Sequence, residues 1–225
     1  MNLLKLTRYV EWWEYKLPPI LAVAYATVIY YDYPLEKVIM QVLFLLLAVI
    51  VGAIYVSVIN DLTDIKEDLK AGKKNSMAKL KVPVRCSIVV ILLVTALYFS
   101  YMLYPDLKSI LFYLLAYVVF SLYSIRPFRF KERGLFGVAC DAMGAHLFPA
   151  LLLTSNLIYF MKVEGAGLWY LAIAAWSFFY GVRGILWHQF QDRENDLRSG
   201  TKTFATQLEP KDFKTTETII MTLEL

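Results

Sequence analysis

Residues 38–74 read VIMQVLFLLLAVIVGAIYVSVI-NDLTDIKEDLKAGKK, an apolar run without a single charge that ends in an acidic and then a basic cluster. A membrane-crossing helix needs about 20 mostly apolar residues, and residues 38–59 supply them. Working outward in both directions, five further runs share this character: residues 17–30, 84–104, 110–125, 135–161 and 165–187. The expected fold class is all-α, a polytopic membrane helical bundle of about six transmembrane helices. Residues 1–225 are expected to form a single membrane-embedded domain.

Composition agrees. Of 225 residues, 59% are hydrophobic and 19% charged, with a mean hydropathy of +0.52. Soluble domains carry roughly 45–50% apolar and about 25% charged residues, so a soluble globular enzyme and a disordered chain are both excluded. Cys86 and Cys140 sit in apolar runs and read as small buried hydrophobes rather than a disulfide framework. Two histidines leave little room for a zinc or haem site. The net charge of +4 does not point to nucleic acid, because most cations flank apolar runs.

Those cations also give an orientation. Counted by side, 19 Lys and Arg fall on one face of the six-run layout, against Lys37, Lys108 and Lys162 on the other, with Arg183 inside the last run. Positive charge marks the cytoplasmic side. The N-terminus, the loops after the second and fourth runs and the C-terminus are therefore expected in the cytoplasm, in a multi-pass protein of the inner membrane. Glu11, Glu14 and Pro18 interrupt any cleavable signal pattern. Residues 6–15, with Trp12 and Trp13, read as an interfacial helix.

The acidic segment recurs. After the last run comes HQFQDRENDLRSGTK, residues 188–202. With Asp64 placed on Asp192, Asp68 falls on Asp196, Leu69 on Leu197, Lys70 on Arg198, Gly72 on Gly200 and Lys74 on Lys202. The shared form D-x-x-x-D-L-[KR]-x-G-x-K is an internal repeat. Residues three, four and seven apart share one helix face, so Asp61, Asp64 and Asp68 are expected to form one carboxylate stripe with Asn60 at its edge. Asp192 and Asp196 make the matching pair. Both segments leave the membrane on the same side, where facing carboxylates suit a hard divalent cation such as Mg²⁺, completed by water and phosphate oxygens. Solvated loops that merely orient the protein would not require two matching copies directly at the ends of apolar runs, where acids are costly and tend to be functional.

The paired motifs resemble those of the UbiA superfamily of intramembrane prenyltransferases. Its N-D-x-x-D-x-x-x-D motif is matched by Asn60, Asp61, Asp64 and Asp68, and its second D-x-x-x-D motif by Asp192 and Asp196. The loop YSIRPFRFKERG, residues 123–134, is similar to the family's segment between its fourth and fifth spans, and residues 188–203 resemble the ending found in a bacterial branch. The resemblance implies transfer of a polyprenyl group from its diphosphate to an acceptor that the sequence leaves unidentified, with Mg²⁺ bridging the diphosphate to the two Asp clusters. It implies Asp64, Asp68, Asp192 and Asp196 as metal ligands, supported by Asn60 and Asp61. Arg129, Lys131, Lys74, Arg198 and Lys202 are implied holders of the diphosphate. Polar residues inside spans are functional candidates. Asp141 is a candidate to orient or deprotonate the acceptor, and Arg183 to contact diphosphate or pair with an acid. Family members usually have about nine spans, so residues 204–225 are expected to be the stub of a further helix or connector. The alternative is a non-enzymatic cation-binding membrane transporter or scaffold. That class is expected to carry its charged positions at mid-membrane, whereas this repeat sits at the ends of the spans.

Overall fold

The computed structural model describes residues 12, 15–70, 72–200 and 202–224, so most of the interfacial helix expected over residues 6–15 lies outside the described residues. Every regular element among them is helical. Helix α1 (Leu17–Tyr30) opens on Pro18 and Pro19, which fit a first turn because amide hydrogens there have no intrahelical partner. The apolar run at residues 38–59 becomes α2 (Leu35–Thr63), followed after a break by the short α3 (Ile65–Lys70). Next come α4 (Val82–Met102) and α5 (Leu107–Ser124). Helix α6 (Leu135–Met161) contains a π-helical turn at Met143–Leu147. Helix α7 (Gly167–Ser199) is the longest, and the chain continues through α8 (Phe204–Gln207) and α9 (Phe213–Glu224).

Among the described residues, four helices are long and apolar enough to cross a membrane: α2, α4, α5 and α6. The other two expected crossings differ from these in separate ways. The 14 residues of α1 reach about 21 Å at 1.5 Å per residue, short of the roughly 30 Å hydrocarbon core. Helix α7 has length to spare at 33 residues, but Arg183 and its Trp, Tyr and Gly residues dilute the apolar window. It also runs well past residue 187, carrying the second acidic motif on its final turns.

One core cluster joins Val28 of α1, Leu45 and Ala48 of α2, Tyr113 and Tyr117 of α5, and Leu152, Leu153 and Leu157 of α6. Helix α6 lies innermost, with residues 150–158 all buried. Helix α4 lies outermost and exposes Val90, Ile91, Val94, Leu97, Tyr98 and Tyr101. Such a face is stable against lipid tails, where apolar side chains carry no hydration cost.

Small residues bring backbones together. A Cβ on Gly144 would fall 2.6 Å from the Phe120 ring, and one on Gly181 would fall 2.8 Å from Cα of Ala142, the close approach by which membrane helices gain dispersion contact. The two ends of the bundle are unlike. At one end the connections are short, and Asp106 caps α5 by accepting from the Ser109 amide at 3.2 Å and from the Ser109 hydroxyl. Asn156 of α6 donates to Asp106 at 3.0 Å and accepts from Gln41 of α2. At the other end lie the long charged segments, residues 64–81, 125–134 and 200–212.

Candidate functional site

The first motif sits where α2 gives way to α3. Thr63 turns its hydroxyl back onto the carbonyls of Ile59 (2.9 Å) and Asn60 (3.2 Å), a pattern that bends helices. Asp64 then caps α2 with φ −102° and ψ 7°. The carboxylate stripe expected on one continuous helix is thus interrupted at its middle member. Asp61 is buried on α2, Asp64 sits at the break, and Asp68 lies on α3. The i→i−4 bonds survive the bend, Asp64 to Asn60 at 3.0 Å and Asp68 to Asp64 at 2.8 Å.

The loop after α5 fills the bend. Lys131 donates to both Asp64 oxygens, and Arg129 reaches Asp64 at 3.0 Å and Glu67 at 3.6 Å while its Nε donates to Glu132. Arg129 is 6% exposed, and its left-handed φ of 39° turns the chain back at that point. Burial lowers its pKa, but Glu132, Asp64 and Glu67 outweigh that and raise it. For Lys131 the balance is reversed. Burial pushes the ammonium below its ordinary value despite the pull of Asp64, with Arg129 adding to the depression. Arg126 meets Glu67 at 3.3 Å on the surface.

Two neighbours that the sequence did not single out complete this half. Ser124 donates to the side-chain oxygen of Asn60. Asn75, 3% exposed, donates to the Asp61 carbonyl at 2.7 Å and to Asp68 Oδ2 at 2.8 Å, and accepts from the Ala78 amide at 3.0 Å. Asn75 was missed because Asn at the end of a basic loop reads as a turn residue.

The second motif rides on unbroken α7. Asp192 is half exposed and lies 3.7 Å from His188. Asp196 accepts from the Thr203 hydroxyl at 3.3 Å. Burial raises the Asp196 pKa and Asp192 adds to this, against the opposing effects of Thr203, Lys73 and His188. Lys73 belongs to the first motif's loop, so the two halves of the repeat lie within electrostatic reach of each other. Tyr123 at the end of α5 lies within electrostatic reach of Asp141, Asp64 and Asp196. Gln207 of α8 sits beside Gly134 of the basic loop, 3.1 Å from where a Cβ would stand.

The remaining candidates are more scattered. Lys74, Arg198 and Lys202 are exposed, with Arg198 3.7 Å from Glu194. Arg183 lies over the Tyr180 ring at 4.9 Å and lines a cavity of about 300 Å³ between α7 and α9. His146 falls in the π turn with its ring against Tyr180.

Among the described residues, no three His, Cys, Asp or Glu side chains are gathered so as to hold a metal ion by themselves. The donors are nevertheless hard carboxylate oxygens, and Mg²⁺ is commonly held by one or two carboxylates plus substrate phosphates. The residues therefore fit a Mg²⁺ ion shared with a diphosphate.

Comparison with known proteins follows the same direction. The model of the UbiA prenyltransferase family matches residues 17–223. The structure of a UbiA homolog from Archaeoglobus fulgidus bound to DMAPP and Mg²⁺ superimposes with a TM-score of 0.76 at 19% identity, covering all of this chain and 75% of that one. A second structure of a UbiA homolog from the same organism gives 0.73 at 19% identity and covers 74% of that chain. No curated protein matches the sequence.

Proposed function

We propose, since the chain belongs to the UbiA prenyltransferase family, that it transfers a polyprenyl group from a prenyl diphosphate to an acceptor within the membrane. One observation carries this reading: cations and carboxylates meet at a single end of the bundle, half-buried Lys131 and buried Arg129 on Asp64, with Asp196 within reach of Lys73. A diphosphate requires cations at its oxygens and a divalent metal requires hard carboxylates, and both requirements are met there. The DMAPP and Mg²⁺ carried by the Archaeoglobus fulgidus relative support this choice of ligands.

Asp64, Asp68, Asp192 and Asp196 would hold Mg²⁺, with Asn60 and Asp61 supporting. When bound, Mg²⁺ neutralises the charge that builds on the diphosphate as its C–O bond breaks. Lys131 and Arg129 exchange part of their hold on Asp64 for diphosphate oxygens and stabilise the departing anion. Lys74, Arg198 and Lys202, exposed around the rim, draw the anion in. The electron pair of the broken bond leaves with the diphosphate. The allylic carbon is taken by the acceptor's nucleophile, whose proton Asp141 would accept. The surrounding helices exclude water that would otherwise capture the cation. Arg183, over Tyr180, has a supporting role. We read residues 1–225 as one multi-pass unit of the inner membrane with its Asp motifs on the cytoplasmic side.

The test is retention of a radiolabelled prenyl diphosphate by the purified chain in detergent, with and without Mg²⁺, repeated on Asp64→Asn and Asp192→Asn. Retention is expected to need Mg²⁺ and to fall at least about tenfold in each variant, the loss of one charged contact being worth about 1.5–3 kcal/mol. Retention indifferent to Mg²⁺ and to both substitutions overturns the two-motif site.

A further inference from the structure

The repeat continues past its recognised end. In the register that puts Asp68 on Asp196, Asn75 falls on Thr203, Met77 on Ala205 and Ala78 on Thr206. The two sequences share nothing here, yet they do the same things. Gly72 and Gly200 both take a left-handed backbone, φ 69° and 74°, and donate to Leu69 and Leu197, which are themselves equivalent. Asn75 then donates to Asp68 Oδ2 at 2.8 Å, and Thr203 donates to Asp196 Oδ2 at 3.3 Å. Each side chain also accepts from the amide three residues on: Ala78 to Asn75 at 3.0 Å, and Thr206 to Thr203 at 3.4 Å. Both residues are buried, at 3% and 9% exposed, and each is followed two residues later by a fully buried apolar side chain, Met77 or Ala205.

We propose that Asn75 and Thr203 are a matched pair of positioning residues, each capping the helical turn after its motif while fixing the last carboxylate of that motif. The proposal rests on the two-motif site above. The cap explains why each side chain is held still, since Asn and Thr caps anchor the first amides of a turn. The bond to the aspartate explains why that rigidity matters. A carboxylate that must share a metal with a diphosphate gains from having one oxygen fixed and the other directed, as second partners do for metal ligands elsewhere. Two unrelated side chains at equivalent positions, one an amide and one a hydroxyl, reach the same oxygen type by the same geometry. A capping role alone would not require either to reach the acid.

The experiment measures the Mg²⁺ concentration that gives half-maximal retention of radiolabelled DMAPP by the detergent-purified chain, alongside thermal unfolding. In Asn75→Ala and in Thr203→Val, half-saturation is expected to rise about tenfold, the effect of losing one hydrogen bond to a charged group. The exchange variants Asn75→Thr and Thr203→Asn keep a donor and a cap, and are expected to recover most of that loss. An unchanged Mg²⁺ requirement with only a lowered melting temperature makes both residues plain caps and overturns the proposal. If Asn75→Ala or Thr203→Val does not fold, the exchange variants decide. A well-folded Asn75→Thr or Thr203→Asn with the full tenfold loss overturns the equivalence of the two positions. Wild-type retention that ignores Mg²⁺ is a different result, and it overturns the two-motif site itself.

Discussion

The two copies of the acidic motif stand on different backbones. After α2 the helix breaks at Asp64 and restarts as α3, whereas α7 runs straight through Asp192 and Asp196. The register suggests why. Thr63, bonded back to Ile59 and Asn60, is matched in the second copy by Gln191, a residue whose side chain does not compete for its own helix carbonyls. The break has a consequence for charge. It brings Asp64 against Lys131 and the buried Arg129, while Asp192 remains half exposed, 3.7 Å from His188 on its own helix. One copy is therefore tied into the fold through ion pairs, and the other is presented on a rigid rod. Equivalent sequence can thus serve anchoring in one place and presentation in another, depending on the one residue directly before the aspartate, Thr63 or Gln191.

The most forceful way to break this comparison is to remove the two equivalent aspartates. Asp64→Ala takes the shared partner from buried Arg129, which keeps Glu132 and Glu67, and from half-buried Lys131, and is expected to cost about 3 kcal/mol in a denaturant titration in detergent, because breaking a buried ion pair is expensive. Asp192→Ala is expected to shift the same titration by less than about 0.5 kcal/mol, as for other exposed pairs. Equal losses would remove the distinction between anchor and rod.

The glycines sharpen the comparison from the other side. Gly72 and Gly200 share the same left-handed backbone, and neither has an atom within 4 Å of a built Cβ. Gly72→Ala and Gly200→Ala are each expected to cost about 1 kcal/mol of unfolding free energy from backbone conformation alone, and a markedly larger loss at one would show that its turn is under additional constraint. A smaller effect concerns pH. Burial holds the Asp196 carboxyl above its ordinary value, so the folded state binds that proton more tightly than the unfolded chain does. The stability contributed is present below the ordinary carboxylate range and is lost as pH rises through the raised value. Asp196→Asn is expected to flatten that part of a melting-temperature profile against pH, and an unaltered slope would contradict the assignment. The smallest change is Thr63→Gln, which gives the first copy the second copy's residue. It is expected to raise helix content and stability by a few tenths of a kcal/mol as the break closes, a change visible as a slower exchange of the Asp64 and Ile65 amides.

Apolar runs made the bundle legible, because a long uncharged run has one stable solution in lipid. Residues 17–30 and 135–161 have the same limits as their helices, and the other runs lie within a few residues of theirs, apart from the extension of α7. The repeat was equally plain, since aspartates at spacings of four stand out against apolar flanks. Periodicity could not reveal the break at Asp64, because the spacing of carboxylates is the same on a bent helix as on a straight one. Nor could it show that Arg129 and Lys131 are occupied by Asp64, since that contact joins segments more than 60 residues apart and depends on how the loop after α5 folds back. Asn75 was hidden for a further reason. Its partner in the repeat is Thr203, and only the hydrogen bonds show that an amide and a hydroxyl perform one task there.

The polar lock of Asp106, Asn156 and Gln41 lies at the end of the bundle away from the aspartates. A bundle clamped at one extremity and joined by long segments at the other distributes its motion unevenly. Thermal opening should begin at the charged extremity and travel inward, so that amide exchange slows progressively along α2 and α6 toward the lock. Whatever widens the site to admit a bulky molecule would then pivot about Asn156, and a substitution there would be felt at the aspartates as altered rates of entry and exit rather than as altered chemistry.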